Sequence, residues 1–330
     1  MQIIESYSTA ILLCILTMFC WGSWANTQKM KGPNWPFSLF YWDYVLGILV
    51  FSCLFGLTFG SIGSKGRPFW NDLFQADFSA LVSAFIGGII FNLANLLLGV
   101  AIELAGLAVA FPVGIGIALV LGVALNYMVF PLGDPLWLAL GVGAILMAIL
   151  LSSISHFVMK KQSSGGLKGI VLSVISGLMM GLFYRFVAVA MATSFQDPEI
   201  GLLTNYSGVF VFAIGIFLSN FIWNTWFMHF PISGSKSTYS QWFAGKWKEH
   251  LPGILGGCIW CLGFSVNLMA SNKAGYAISY GLGQGATMVA AAWGIFFWKE
   301  FNGASPAVNR MLGAMFLLYL TGIILIIGSN

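Results

Sequence analysis

A pair of matching apolar hairpins constrains this chain more than any other feature. The first runs from Gly87 to Tyr127 as two long apolar segments with a very short polar break at Glu103. The second begins at Gly256 and breaks at Asn272–Lys273. A shift of 169 residues, without a gap, makes Gly87/Gly256, Gly88/Gly257, Ile90/Ile259, Leu93/Leu262, Gly106/Gly275, Gly114/Gly283, Gly116/Gly285 and Val120/Val289 identical. Apolar composition alone matches some pairs by chance. Matched glycines at both helix starts and in both Gly-x-Gly pairs are harder to dismiss. Self-similarity of this kind sets the architecture before any single residue is weighed.

The solvent of the fold follows from charge. Only 7% of the 330 residues are charged and 59% are hydrophobic, whereas soluble domains carry about 25% charged residues. The bilayer is therefore the solvent. The net charge of +4 is small and dispersed, which argues against nucleic acid as a partner. Cys258 and Cys261 form a CxxC without a second ligand pair, so they read as small buried hydrophobes. Glu5 and the lack of a basic leader argue against a signal peptide.

A membrane span needs roughly 20 mainly apolar residues. That rule gives ten helices, near 5–26, 38–60, 78–101, 105–128, 134–156, 167–192, 201–224, 251–271, 275–298 and 308–328. Turn formers separate them, as in KMKGPNWP, SKGRPFWND, PLGDP and QDPE. The longest loop, 225–250, mixes Trp226, Trp242 and Trp247 with Lys236, Lys246 and Lys248, a mixture suited to the headgroup region. The expected fold is an all-α integral membrane protein of ten transmembrane helices in two five-helix repeats, 1–160 and 161–330. An odd number of helices per repeat inverts the second half. Inverted repeats around a midplane site are a recurrent transporter design.

Loop charge gives orientation. Lys29, Lys31, Lys160, Lys161, Lys168, Lys236, Lys246, Lys248, Lys299 and Arg310 fall on one side; Lys65, Arg67 and Lys273 fall on the other. The richer side is expected to be cytoplasmic, with both termini outside.

Charges inside spans are costly and mark function. Arg185 either donates hydrogen bonds to a substrate or snorkels to the surface. Asp43 either complements the start of its helix or takes part in coupling. Glu103 is a solvated turn residue or a protonatable gate. His156 lies beside Lys160 and Lys161 and reads as interfacial. The amides Asn92, Asn95, Asn267 and Gln284 serve as helix–helix glue or line a cavity for a neutral solute. Trp21, Trp24, Trp260 and Tyr280 offer aromatic faces to such a solute. Pro112 and the GLGQG stretch around Gln284 point to loosened helices, which mark transporter binding regions. There is no phosphate-binding loop, nucleophile elbow or metal cluster in the sequence, and no cofactor or enzymatic activity is expected.

Several motifs carry a family resemblance. They are Trp42–Tyr44 (WDY), Phe59–Gly63 (FGSIG), Gly122–Tyr127 (GVALNY), His229–Tyr239 (HFPISGSKSTY), Lys273–Ala277 (KAGYA) and Trp293–Phe301 (WGIFFWKEF). The chain resembles the ureide permease branch of the drug/metabolite transporter superfamily, which is related to bacterial glucose/ribose and rhamnose porters. The resemblance implies import of ureides or nucleobase-like compounds, commonly with protons, and sugar uptake in neighbouring branches. The compact chain lacks the long central segment of plant members, which implies a bacterial relative in the cytoplasmic (inner) membrane. The expected partners are a small neutral solute, the bilayer and a co-transported H+ or Na+. The sugar porter is the alternative, and a drug or metabolite exporter is a more distant one.

Overall fold

Helix is the only regular structure that satisfies its own backbone inside lipid one segment at a time. A computed structural model of the chain describes all residues except Pro33, Gly106, 161–166 and 232–234, and all side chains outside these except those of Glu103, Leu107, Ala108 and Lys160. The long helices are α1 (Tyr7–Ser23), α2 (Phe37–Leu57), α4 (Phe78–Ala105), α5 (Leu107–Val129), α6 (Pro135–Lys160), α7 (Leu167–Ala188), α8 (Asn205–His229), α10 (Trp247–Ala274) and α13 (Pro306–Ile327). A 3-10 stretch, Trp24–Met30, extends α1. Among the described residues these nine helices are long and apolar enough to cross a bilayer. Ser6 starts α1 by accepting from the Thr9 N–H, and Ser305 starts α13 by accepting from Val308, ahead of Pro306.

The expected single helix at 275–298 is broken. It consists of α11 (Tyr276–Gly283), α12 (Ala286–Ala292) and a π turn at Trp293–Phe297. The cause lies in GLGQG, where glycines weaken the helix. The Gly285, Thr287 and Met288 N–H groups bond three residues back instead of four. Gly275, at φ +84°, reverses the chain between α10 and α11.

Two faces are defined by contacts between distant loops. On one, the Met1 ammonium donates to the Lys65 carbonyl, Tyr7 to Ile327 and Asn272 to Thr193. This termini face also holds Tyr276, whose ring packs on Phe130. On the opposite face Lys29 meets Glu300, Trp298 meets Asn26 and Ser38 meets Ser237. The broken segment thus leads from the termini face to the opposite one.

Two short helices were not anticipated from the sequence. α3 (Phe69–Gln75) precedes α4, and α9 (Tyr239–Phe243) precedes α10. Buried Asp72 fastens α3 to α8 by accepting from Arg67, from the Thr204 N–H and hydroxyl, and from Ser207. Both helices are too short for period to reveal them.

Packing repeats itself. α4 lies on α7 and α8, and α10 lies on α1 and α2. α5 packs on α7, as α11 and α12 pack on α1, while α6 and α13 form a pair. Where α4 crosses α8, a Cβ on Gly88 would overlap the Phe212 carbonyl, and one on Gly215 the Phe85 carbonyl. Where α10 crosses α2, Gly257 meets the Tyr44 carbonyl and Gly47 the Ile254 carbonyl in the same way. Backbones this close leave no room for a side chain. Gly88→Ala and Gly257→Ala are each expected to destabilise the fold by about 1–3 kcal/mol, the usual cost of overpacking. Gly143→Ala, where nothing lies within 4 Å, is expected to be neutral or to stabilise α6 by up to about 1 kcal/mol, because alanine favours helix. Thermal unfolding of the purified variants in detergent checks both outcomes.

Candidate functional site

α1, α4, α5, α7, α10 and the broken segment surround a cavity. It consists of two adjoining recesses of about 460 and 180 Å³ that share Trp24, Asn95, Phe111 and Thr287. The larger recess reaches the opposite face, where Lys29, His156 and Glu300 form its rim. The smaller is the floor, lined by Trp21, Phe91, Ile115, Phe183, Trp260 and Gln284.

The floor is an aromatic platform. Trp21 and Trp260 stack with centroids 5.9 Å apart and planes 10° from parallel. Phe91 packs on Trp260 at 4.4 Å. The Trp21 indole N–H donates to the Trp260 carbonyl at 3.3 Å, which fixes its ring in place. Trp24 leans on Tyr44 at 4.7 Å. Two amides face this space. Asn95 spends its N–H on the Tyr41 hydroxyl at 3.3 Å, and its carbonyl oxygen has no partner among the described residues. The Gln284 carboxamide has no protein partner among the described residues.

Among the described residues, the charged groups that line the cavity stand at its rim. Glu300 pairs with Lys29 at 3.0 Å and lies 3.6 Å from His156. His156, then Lys29, hold the Glu300 carboxyl down to about 2, against a burial effect of opposite sign. Lys29 also stands 4.3 Å above the Trp298 ring.

The cavity ends at a polar seal toward the termini face. The Tyr280 hydroxyl lies 3.2 Å from the Ala118 carbonyl and 3.1 Å from that of Met180. Its ring fills the space a side chain at Gly122 would need. Tyr184 donates to the Asn267 carbonyl oxygen at 2.5 Å, and the Asn267 amide donates to the Ser279 carbonyl at 2.9 Å.

Of the residues proposed from sequence, the structure brings Trp21, Trp24, Asn95, Trp260 and Gln284 to one cavity. Asn267 and Tyr280 belong instead to the seal beyond it. Asn92 is glue. It accepts from Tyr41 and donates to the Ile216 carbonyl and Ser219, tying α4 to α2 and α8. Arg185 is exposed in the last turn of α7 and does not reach the cavity. A guanidinium there gains solvation by turning outward, which is the snorkelling alternative. Asp43 is buried near the opposite face, outside the cavity. It accepts from Trp242 at 2.8 Å, His250 Nδ1 at 2.7 Å and Trp35 at 3.3 Å. The Glu103 side chain lies outside the described residues.

Sequence reasoning passed over Phe111 and Thr287, and it did not join Lys29 and the interfacial His156 to Glu300 in one rim. Phe111 and Thr287 were accessible through the repeat, because they stand 169 residues from Tyr280 and Ala118. The rim was not, because its three members are far apart in sequence. Asp43→Ala would strand the buried Trp35 N–H, at about 1–3 kcal/mol, and take a partner from the half-buried Trp242 and His250 donors at a smaller cost. It is expected to lower the melting temperature clearly, whereas exposed Arg185→Ala stays within about 0.5 kcal/mol of the parent. Tryptophan fluorescence on heating distinguishes the two.

A family model described as Ureide permease matches residues 40–168 and 157–329. Ureide permease 1 of Arabidopsis thaliana is 22% identical over an alignment covering 100% of this chain and 99% of that protein. Ureide permease 2 of the same plant gives the same identity and coverage. These relatives are plant proteins and lend no support to a bacterial inner membrane. A crystal structure superposes with a TM-score of 0.60 at 16% identity, over 97% of this chain and 98% of the other. That likeness is one of fold alone.

Proposed function

We propose, from the premise that the chain belongs to the ureide permease family, that it is a secondary transporter which carries a small, neutral, planar solute by alternating access. The observation carrying this reading is a cavity open to one face and sealed from the other. An aromatic floor lies between the two ends. The relatives named ureide permeases support ureides or similar small solutes as the cargo. The stacked Trp21–Trp260 pair suits a flat ring. Charge at the rim, with none at the floor among the described residues, suits a cargo without net charge.

The ten passes are proposed to form two inverted halves, 1–160 and 161–330. Residue pairs separated by 169 positions support this. Phe91/Trp260 and Ile115/Gln284 both meet at the floor. Tyr280 closes against Ala118 and Gly122 at the termini end. Their counterparts Phe111, Thr287 and Ala291 all line the open recess at the other end. Phe111 is therefore proposed to close on Thr287 and Ala291 when the halves rock. The face richer in Lys and Arg is proposed to be cytoplasmic, with the termini outside and the described state open inward. H+ or Na+ coupling is kept as a proposal. Asp43 and Arg185 stand outside the cavity and are assigned no contact with the solute.

Purified protein in liposomes is expected to take up allantoin or uracil in preference to ribose or glucose. A pH step or a Na+ gradient across the vesicle tests coupling. Uptake of the sugars alone would replace the cargo, and uptake of none would sink the transport reading. In a cysteine-free background, Thr287→Cys is expected to react with small thiol reagents from the cytoplasmic side, and Ala118→Cys to be protected. Tyr280→Phe removes a seal of about 0.5–1.5 kcal/mol per hydrogen bond. It is expected to raise Ala118→Cys labelling roughly two- to tenfold. Equal labelling in the presence and absence of the Tyr280 hydroxyl would remove the seal from the mechanism.

A further inference from the structure

The buried amides of this chain differ in how fully they are used. Asn92 spends both ends of its carboxamide on protein, and so does Asn267. Asn95 spends one end. Gln284 spends neither, although it is only 8% exposed and lines the cavity floor. Asn220 also lacks a partner at either end among the described residues, but it is wholly buried away from the cavity. The Gln284 amide instead opens into the cavity, where a carboxamide without protein partners is available to a ligand.

The backbone around Gln284 is fixed. Its N–H donates to the Tyr280 carbonyl at 3.2 Å, and its own carbonyl accepts from the Thr287 hydroxyl at 2.8 Å. A Cβ on Gly283 would stand 2.8 Å from the Trp21 ring, and one on Gly285 2.8 Å from Met18. The glycines on either side therefore let the break pack tightly beside the aromatic platform. The side chain is left free while the chain that carries it is held.

We propose that Gln284 is the specificity-determining residue of the floor, and that its carboxamide pairs with a –CO–NH– edge of a planar ring lying on the Trp21–Trp260 platform. A carboxamide presents one donor and one acceptor side by side. A cyclic cis-amide or ureide edge presents the complementary pair, so two parallel hydrogen bonds form without any charge. The counterpart of Gln284 at the floor is Ile115, 169 residues earlier. One wall thus reads polar groups and the other contacts an apolar edge, which orients the ring. A solute without the edge leaves the carboxamide unpaired, and such sites discriminate strongly against the incomplete ligand.

This inference rests on the transport reading, and the test separates the two. The probes are uracil, which has the edge, and 1,3-dimethyluracil, which has no ring N–H. Binding is followed through tryptophan fluorescence of the purified full-length chain, and uptake through liposomes. The parent is expected to favour uracil by roughly tenfold or more. Gln284→Leu is expected to raise the apparent KM and binding constant for uracil by a similar factor. The dimethyl compound should be unaffected, so that the preference collapses. Gln284→Met keeps the length of the side chain and removes both the donor and the acceptor. It is expected to lose uracil in the same way, and it serves if the leucine variant fails to fold. Thermal unfolding is measured for both. Uracil preference retained in either folded variant would overturn the assignment of Gln284. Uptake of ribose without uracil by the parent would instead overturn the proposed cargo, with transport intact.

Discussion

A break in a helix survives inside a bilayer only where protein surrounds it, because lipid offers no hydrogen bonds to the freed backbone groups. The GLGQG stretch obeys this constraint. Its 283–285 backbone is enclosed by Met18, Trp21 and Asn267, and the N–H groups that lose their usual partners bond three residues back. The cost of the break is thus met locally, and the gain is a polar side chain at the bottom of an apolar cavity. The surrounding helices must be intact and closely packed for this to work. The glycine crossings of α4 on α8 and of α10 on α2 bring backbones within van der Waals reach and supply that rigidity.

The cavity and its seal are parts of the same broken segment. Tyr280 sits in α11, one turn before Gln284, and Thr287 sits in α12, just after it. The Gln284 N–H bonds to the Tyr280 carbonyl. A ligand that engages the Gln284 side chain therefore acts on the element that carries the seal. No long chain of contacts is needed between the floor and the closed end. The rim is separate. Lys29, His156 and Glu300 join the end of α1, α6 and the turn after the π segment, and they hold charge away from the floor.

Much of this was legible in the sequence, for a physical reason. Apolar runs of about 20 residues are forced by bilayer thickness, so nine of the ten expected spans appear as long helices, with ends shifted by a few residues. The aromatic faces of Trp21 and Trp260 and the amide of Gln284 in the loosened GLGQG stretch point to the floor from sequence, and the structure brings the three together. What was not legible is direction. Residue type does not say whether Asn92 faces a neighbour or a cavity, and here three protein partners use it up. Arg185 had the right chemistry, but its position in the last turn of α7 faces outward. Tyr280 was chosen as a ring to stack on, and its hydroxyl proves to decide its place, beside two backbone carbonyls. α3 and α9 were invisible, because five to seven residues are too few to show a helical period.

The two proposed gates differ in chemistry, and the difference sets a bias between states. The termini end is closed by a tyrosine hydroxyl within reach of two carbonyls and by the Tyr184–Asn267–Ser279 chain. The counterparts of Tyr280 and Asn267 at the other end are Phe111 and Leu98, which have no donor to offer. Closure there buries apolar surface but forms none of these bonds. At about 0.5–1.5 kcal/mol for each net hydrogen bond, two or three bonds favour the state sealed at the termini end. An empty carrier built this way rests open toward the rim of Lys29, His156 and Glu300. To reach the other state, a solute at Gln284 must make up that difference by binding it more tightly, since equal affinity for both states shifts nothing.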